Sequence, residues 1–501
     1  MNGSVNLNFD NLCYQVPKRF LPSRQDAKQI LNCVSGEFRF GELSAVIGAS
    51  GSGKSSLLNV LSGYKHVNVS GSIKINKNQV SSNIVRKLSS YVMQDNKLHE
   101  YLTVYETVTF AAHFKMRESA SQEKKIVGVL KSLGMDDHSD TFVKNLSGGQ
   151  QKRLTIAIEL IDNPSIVFLD EPTSGLDSYS SMQCIQLLKR LAQEGKTIIC
   201  TIHTPSASMF ELFDNIYALA DGFCIYQGSS PNLVPFLSEL DLICPETFSP
   251  SDFLLEIATN DYGLQNHRLT EKMRNGCEQN YRTTTTLPSI TNQNLSNPID
   301  FQSSSRSIYS LSFFEQVKHL SHRSILISKR DKTLTITRLL IHLMIGIVFG
   351  IIYKNIGDEA SNFLDNYRYI ITSIVFQLYT AYFSLQTASE LDDHANKTKQ
   401  LTFQKLSVPL AYPILKREHF NRWYSTSAYF ISLVLVDVPI TFLCSFTYVT
   451  ITYTMTSQPP EFYRYLAFLT LSLALSFAAQ GVGVAGSALL DIKVTSTILS
   501  N

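Results

Sequence analysis

A glycine-rich stretch near the N-terminus contains residue types that bind phosphate. It reads Gly48-Ala49-Ser50-Gly51-Ser52-Gly53-Lys54-Ser55-Ser56 and lies between the apolar, strand-like residues 43–47 and a helical pattern over residues 56–61. Glycines let successive backbone N–H groups point at phosphate oxygens, and the N-terminus of a helix adds a positive dipole end. We expect Lys54 to reach the terminal phosphates of a nucleoside triphosphate and Ser55 to bind Mg²⁺. The alternative is a chance glycine-rich turn, which the flanking strand and helix disfavour.

Two adjacent acids follow a second apolar run. Residues 166–169 are apolar without alternation, which predicts a strand buried on both faces, and Asp170 and Glu171 come next. Carboxylates at the C-terminal edge of a parallel sheet meet a phosphate loop there. We expect Asp170 to contribute to the Mg²⁺ site and Glu171 to orient or deprotonate the attacking water. A pair of acids alone could be a solvated turn, but the upstream phosphate loop favours phosphoryl-transfer chemistry.

A third motif lies between these two elements and precedes a helical pattern. It reads Leu146-Ser147-Gly148-Gly149-Gln150, and Ser147 can cap the helix so that free N–H groups offer another anion site. This pentapeptide resembles the signature motif of the ATP-binding-cassette family. Further family motifs occur in the family's order, with Gln94 at the Q-loop, Asp177 in the D-loop and His203 as the switch histidine.

The resemblance implies an α/β nucleotide-binding cassette of the P-loop NTPase type that uses ATP and Mg²⁺. It further implies that His203 contacts the γ-phosphate, that Gln94 lies near the Mg²⁺ and the water, and that residues 146–150 contact the ATP of a partner. Because the chain has a single phosphate loop and a single signature motif, it is similar to a half-transporter, which implies a homodimer or a heterodimer. Tyr14 is the nearest candidate for an adenine platform, although any core tyrosine would fit.

Length and composition indicate several domains. The 501 residues exceed the roughly 250 to 300 that one hydrophobic core usually serves. The net charge of +2 and the 17% of charged residues give no reason to expect a nucleic-acid partner. We expect a cytosolic cassette over residues 1–260 and a flexible linker over 261–310. An amphipathic connecting helix over 311–333 should follow, with basic residues such as Arg323 along the membrane surface, and then a partial all-α transmembrane domain over 334–501.

Four apolar stretches are long enough to cross about 30 Å of hydrocarbon, at residues 334–353, 369–388, 426–453 and 465–490. Buried helices of a large globular protein are the competing interpretation. Basic residues concentrate between residues 390 and 425, which predicts that this connection, both termini and the cassette are cytosolic in a multi-pass membrane protein.

Several residues in this half allow more than one interpretation. Asp437 in the third span either contacts substrate or pairs with a neighbouring helix. We expect Arg338 to snorkel towards the membrane surface and Trp423 to anchor at the interface. Eight cysteines occur without metal spacing, which predicts unpaired thiols in a reducing compartment.

The order of cassette before membrane domain is similar to that of the G, or white, subfamily, as are residues 417–425, 437–439 and 456–459. The resemblance is nearest to the branch that exports sterols and phospholipids. It implies ATP-driven export of a lipid or sterol-like amphipath by a dimer in contact with membrane lipid, with pigment precursors as an alternative substrate. Since the subfamily has six spans and four are found here, a truncated ATP-binding subunit that dimerises without transporting is a second hypothesis.

Overall fold

The computed structural model describes residues 4–16, 28–95, 97–116, 122–259, 263, 265–282, 309–357, 360–386 and 408–489. The chain forms two compact units. The first contains residues 1–310 together with residues 420–423, and the second contains residues 311–419 and 424–501.

The first unit is built on two sheets. The strands are β1 (Leu7–Val16), β2 (Lys28–Phe38), β3 (Leu43–Gly48), β4 (Val69–Ile75), β5 (Asn78–Gln79), β6 (Ser89–Val92), β7 (Ile166–Leu169), β8 (Thr197–Thr201), β9 (Asn215–Ala220) and β10 (Phe223–Gly228). An antiparallel sheet has the order β2-β1-β4-β5, and a second sheet has the order β10-β9-β3-β8-β7-β6. In the second sheet the strands from β9 to β6 pair in parallel, and β10 pairs antiparallel to β9.

The first unit also contains the following helices, some of which pack against the second sheet. They are α1 (Lys54–Leu61), α2 (Ser82–Leu88), α3 (Val104–Lys115), α4 (Gln122–Ser132), α5 (Gly148–Leu160), α6 (Ser178–Gln193), α7 (Ala207–Phe210), α8 (Leu233–Ser238), α9 (Pro250–Ala258) and α10 (Asn266–Lys272). Every residue of β3, β7 and β8 is buried, as expected for strands with helices on both faces. The core includes Leu57, Phe168 and Ile199. The predicted α/β nucleotide-binding fold is confirmed.

The cassette extends further than predicted. Residues 261–310 were expected to be a flexible linker, but the part that the structure describes up to Arg282 packs within the first unit. The Tyr281 ring contacts the Phe236 ring with centroids 4.9 Å apart, and Arg282 pairs with Glu37 at 3.5 Å. The linker prediction was wrong here because Tyr281 and Arg282 pack against the cassette. The polar composition of the residues that follow gave no sign of this packing. Residues 283–308 lie outside the described part of the chain.

Two predictions about the antiparallel sheet were also wrong. Cys13 on β1 and Cys33 on β2 form a disulfide, whereas unpaired thiols were expected; the other six cysteines are free. Tyr14, the candidate adenine platform, is buried in the core, and Lys65 Nζ lies 5.0 Å from its ring centroid. The strand pairing of β1 with β2 and β4 turns Tyr14 inward, so its ring face is already covered.

Trp423 was predicted to anchor at a membrane interface, and the structure contradicts this. It is 1% exposed, belongs to the first unit, and its ring stacks on Phe114 with centroids 6.2 Å apart. Two residues earlier, Asn421 accepts a hydrogen bond from the Tyr91 N–H at 3.0 Å and donates one to the Tyr91 carbonyl at 2.9 Å. Because β6 is the outer strand of its sheet, the Asn421 amide pairs with it as a neighbouring strand would.

The second unit is helical. Its helices are α11 (Phe313–Arg330), α12 (Thr333–Ile352), α13 (Phe363–Gln386), α14 (Val408–Phe420), α15 (Thr426–Met455) and α16 (Phe462–Leu489). Helix α15 packs against α11 and α12, and α13 packs against α16. Close contact between α12 and α15 depends on Gly350, since a Cβ there would lie 2.5 Å from the sulfur of Met455.

Three of these helices are long and apolar enough to cross a membrane, judged over the described residues: Thr335–Ile352, Thr426–Met455 and Phe462–Val482. The predicted second span, residues 369–388, begins within α13 and is not among these three; from residue 379 onward it lies outside the residues over which this judgement is made. Residues 387–388 and 490 of the predicted spans, and the segment from 491 to the last residue, lie outside the described residues.

Asp437 is paired within the helical unit. One carboxylate oxygen accepts from Arg338 Nη1 at 2.6 Å, and the other accepts from Gln480 Nε2 at 2.5 Å and from Thr441 Oγ1 at 3.0 Å. Of the two interpretations of Asp437, the structure therefore favours pairing with neighbouring helices. The expectation that Arg338 snorkels was wrong, since its guanidinium turns to this acid.

A second ion pair is buried where α11 meets α14. Arg323 Nη2 lies 2.9 Å from Glu418 Oε2, and the two residues are 3% and 1% exposed. Tyr424 donates its hydroxyl proton to the same carboxylate. Burial alone would lower the pKa of Arg323, but Glu418 and Tyr424 raise it above its usual value. Arg323 was expected on the polar face of an amphipathic helix, so here the helix instead directs a charge inward.

Replacing Arg323 should destabilise the helical unit. We expect Arg323→Met to lower the free energy of unfolding by about 3 kcal/mol, because it leaves Glu418 buried without its closest cation. The double variant Arg323→Met, Glu418→Gln should recover part of this loss. Arg464→Met is the matched control, since the Arg464–Glu461 pair is half-exposed and should contribute at most about 1 kcal/mol. Thermal melting of the purified chain in detergent measures all three; equal melting temperatures for Arg323→Met and the control would contradict the expectation.

Candidate functional site

The phosphate loop connects β3 to α1, and its glycines are required by space and backbone geometry. Gly48 has a φ of 152°, and a Cβ on it would lie 2.3 Å from the carbonyl oxygen of Leu219. Gly53 precedes α1 with a left-handed φ of 104°. Side chains at these two positions would collide or strain the turn, so the sequence folds into a tight loop that ends on a helix N-terminus.

Lys54 lies under this loop. Its ammonium donates to the carbonyl oxygens of Gly48 at 2.7 Å and Ala49 at 2.9 Å. Burial lowers the pKa of Lys54, while the nearby carboxylates of Glu171 and Asp170 oppose this shift. Lys54 therefore lies beside the two acids, with carbonyl oxygens of the loop as its hydrogen-bond partners.

Asp170 is the centre of the acidic end of β7. Its Oδ1 accepts from Ser55 Oγ at 3.0 Å and from Thr201 Oγ1 at 2.7 Å, and its Oδ2 accepts from the Tyr91 hydroxyl at 3.3 Å. Burial, followed by the charge of Asp170, raises the pKa of Tyr91 well above its usual value, so Tyr91 acts as a donor. Ser55 and Asp170 together present the hard oxygen donors that Mg²⁺ prefers, and this pair of residues fits the ion.

Glu171 is held in a strained position beside Asp170. Its φ is +44°, a left-handed conformation that is rare for glutamate. Its N–H donates to Thr201 Oγ1 at 2.8 Å, and its carboxylate accepts from Gln94 Nε2 at 2.8 Å. The turn after β7 thus sends two consecutive carboxylates to different partners, with Asp170 facing Ser55 and Glu171 facing Gln94.

The signature residues begin helix α5. Ser147 Oγ accepts from the Gln150 N–H at 3.3 Å, and the Gln150 side chain accepts from the Ser147 N–H at 2.9 Å, which forms a capping box. Gln150 Nε2 also lies 2.9 Å from His138 Nε2. Leu146 is buried, whereas Ser147 and Gly148 are exposed. The first turn of α5 therefore faces outward with its polar groups ordered.

Asp177 caps the next helix. Its carboxylate accepts from the Ser180 N–H at 3.1 Å at the N-terminus of α6, and hydrogen bonds from Ser180 lower the pKa of Asp177. His203 is exposed just beyond the C-terminal end of β8. In the described part of the chain neither residue forms a hydrogen bond or an ion pair with Asp170 or Glu171, so their predicted roles at the site stay predictions.

The structure brings together Lys54, Ser55, Gln94, Asp170 and Glu171, which the sequence had singled out. Sequence reasoning missed Thr201, which bonds both acids, and Tyr91, which bonds Asp170. Both lie within three residues of a recognised motif residue, Thr201 at the end of β8 and Tyr91 one residue before the end of β6, and that position was the available signal.

Removing the Thr201 hydroxyl should disturb the positions of Asp170 and Glu171, because this hydroxyl forms hydrogen bonds with both residues. We expect Thr201→Val to weaken Mg²⁺-dependent ATP binding by about tenfold, which corresponds to about 1.4 kcal/mol, the cost of one or two lost hydrogen bonds to charged groups. Thr197→Val at the other end of β8 is the matched control, because Thr197 is equally buried but bonds the carbonyl of Val5. Titration with a fluorescent ATP analogue at several Mg²⁺ concentrations measures the effect. Equal affinities in the two variants would contradict this role for Thr201.

Family models match both units. The model of the ABC transporter family matches residues 31–174, and the model of the ABC-2 type transporter family matches residues 315–394 and 400–500. The first match includes the phosphate loop, the signature residues and both acids, and the second includes the apolar helices.

Relatives differ in how much of their length the chain covers. ABC transporter G family member 19 of Arabidopsis thaliana is 40% identical over 50% of this chain and 36% of its own length. The broad substrate specificity ATP-binding cassette transporter ABCG2 of Bos taurus is 28% identical over 98% of this chain and 77% of its own length. ABC transporter G family member 22 of Arabidopsis thaliana is 30% identical over 99% of this chain and 68% of its own length. Together with the two family models, this match along almost the whole chain shows that the protein belongs to the ABC transporter G family.

Proposed function

We propose that this chain is one half of an ATP-driven membrane transporter that works as a dimer and exports a lipid or sterol-like amphipath. The observation that carries the proposal is the arrangement at the end of β7, where Asp170 meets the Ser55 hydroxyl and Glu171 meets the Gln94 amide. This arrangement supports ATP hydrolysis, and the apolar helices of the second unit support transport across a membrane.

The contacts of the site suggest how its residues act on ATP. Lys54 exchanges the carbonyls of Gly48 and Ala49 for phosphate oxygens, which are stronger acceptors because they are charged. Bound through Ser55 and Asp170, with Gln94 nearby, Mg²⁺ would neutralise charge on the phosphates. Glu171 orients or deprotonates the attacking water, and Gln94 holds its carboxylate in place. His203 completes the site at the γ-phosphate.

A partner chain completes the second face of each ATP site. The ordered first turn of α5, with Ser147 Oγ and the free N–H groups of the helix start, is suited to bind an anion. Since the chain has one such motif and one phosphate loop, we propose that two chains exchange signature motifs and bind two ATP molecules. The partner is either a second copy or a related half-transporter.

The second unit supports an amphipathic substrate and a membrane location with the cassette in the cytosol. Large apolar side chains are exposed on α12 and α15, including Ile351, Val434 and Phe442, whereas the polar groups of Asp437 and Arg338 are paired inside the unit. Exposed apolar surface on membrane helices suits contact with lipid tails or sterol rings more than with small polar solutes. Pigment precursors are the alternative that a substrate screen must test.

Removing the phosphate-loop lysine should abolish tight ATP binding. We expect Lys54→Ala to weaken ATP affinity by at least about 100-fold, because the principal cation for the terminal phosphates is lost. Lys131→Ala is the control, since Lys131 is exposed on α4. Equilibrium binding of radiolabelled ATP to the purified chain gives the comparison. Wild-type affinity in Lys54→Ala would show that the loop does not bind the nucleotide.

Neutralising Glu171 should separate binding from turnover. We expect Glu171→Gln to lower kcat for ATP hydrolysis by about 100-fold or more, since the water loses its base, while ATP affinity changes by about twofold or less. Phosphate release and ATP binding measured on the same preparation test this split. Normal hydrolysis by the variant within the assembled dimer would exclude Glu171 as the residue that activates water.

Transport itself is tested in proteoliposomes. We expect ATP, but not ADP, to drive export of a fluorescent phospholipid or sterol from the leaflet facing the cassette, and Glu171→Gln to abolish it. Stimulation of ATP hydrolysis by pigment precursors and not by lipids would reassign the substrate class. ATP hydrolysis without movement of any of these compounds would contradict the proposal of transport.

A further inference from the structure

Helix α5 buries a lysine that none of the predicted roles uses. Lys152 lies five residues after Ser147, is 0% exposed, and directs its ammonium to the main chain of the Q-loop. It donates to the carbonyl oxygen of Met93 at 3.3 Å and to that of Gln94 at 3.1 Å. These contacts join residues 58 and 59 positions apart in the chain.

A buried ammonium is costly at this position. Burial lowers the pKa of Lys152 to about 8, and electrostatic interactions with Cys184, Asp170, Asp95 and Glu171 only partly oppose this shift. Its neighbours on α5, Leu154, Ile156 and Ile158, are all apolar and fully buried. An apolar side chain would fill the same helix position without the cost of desolvating a charge. The two carbonyl contacts are what Lys152 adds.

Only one residue, Gln94, separates these contacts from the Glu171 carboxylate. Lys152 holds the main-chain carbonyl of Gln94, and the side chain of the same Gln94 donates to Glu171 at 2.8 Å. A loop residue whose main chain is fixed loses less conformational entropy when its side chain bonds a partner. Gln94 and Asp95 are themselves exposed, so burial does not fix the main chain of the Q-loop here. The hydrogen bonds from Lys152 fix it instead.

We propose that Lys152 is a positioning residue that ties the signature helix to the Q-loop and thereby fixes Gln94 against Glu171. This inference rests on the proposed function, because it assigns Lys152 a part in ATP hydrolysis. The same helix presents Ser147 to the partner's nucleotide, so Lys152 also connects the two ATP half-sites that one chain contributes. A movement of α5 on binding the partner's ATP is passed to Gln94 at the chain's own ATP.

The first experiment measures ATP hydrolysis and ATP affinity of the full chain and its variants in detergent or nanodiscs. We expect Lys152→Met, which keeps the length of the side chain but removes its charge and donors, to lower kcat by at least about tenfold. The KM for ATP should change by about twofold or less, because the phosphate loop is untouched. Lys152→Gln keeps one amide donor and should fall between Lys152→Met and the wild type. Lys131→Met on α4 is the control for loss of a lysine.

The second experiment is a double-mutant cycle with Gln94→Ala. If Lys152 acts through Gln94, the double variant Lys152→Met, Gln94→Ala should hydrolyse ATP no more slowly than Gln94→Ala alone. A role confined to helix packing would instead multiply the two losses. Melting temperatures are recorded for every variant, and if Lys152→Met does not fold, Lys152→Gln takes its place in the cycle with the same criteria.

The outcomes separate this inference from the proposed function. Absence of ATP hydrolysis by the wild-type chain would refute the proposed function. Normal wild-type hydrolysis with an unchanged kcat in the folded Lys152 variant, or with multiplied losses in the cycle, would falsify the positioning role alone. A reduced kcat with a near-normal KM, together with non-additive losses, supports it.

Discussion

The site depends on one constraint, which is that parallel strands end at a common edge. Strand β7 lies between β6 and β8, and its last residue is followed by Asp170. At that edge Asp170 reaches Ser55 after β3, Thr201 at the end of β8 and Tyr91 on β6. These residues are far apart in sequence and come together only because their strands share a direction and a register. The carboxylate is the point at which the separate motifs become one site.

Much of this arrangement could be predicted because its local signals are strong. The apolar runs of β3 and β7 identify buried parallel strands, and the glycines of the phosphate loop identify a tight turn before a helix. What the sequence could not provide were contacts that depend on tertiary pairing. Thr201 and Lys152 lie close to recognised motif residues, but the sequence does not identify their partners, and without those partners a threonine in a strand and a lysine in a helix are ordinary residues.

The failed expectations have a common physical origin. Trp423, Arg323 and Arg338 were each interpreted from the surrounding composition as residues at a surface or a membrane interface, yet the structure gives each a specific partner. Amphipathic side chains carry both apolar and polar groups, and periodicity does not reveal which of these groups is satisfied inside the protein. Composition also failed to predict that the chain packs against the cassette as far as Arg282. One tyrosine and one arginine are enough to hold a largely polar segment against the protein.

The Arg338–Asp437 pair has a consequence for how the chain enters a membrane during synthesis. An isolated acid at the centre of a helix opposes insertion by about 2.5 to 3.5 kcal/mol. The first apolar helix, which carries Arg338, precedes the helix that carries Asp437, so the basic partner is in place before the acid arrives. Once the two helices pack together, the Arg338–Asp437 pair carries no net charge at this position, which offsets the cost of placing the acid in a membrane.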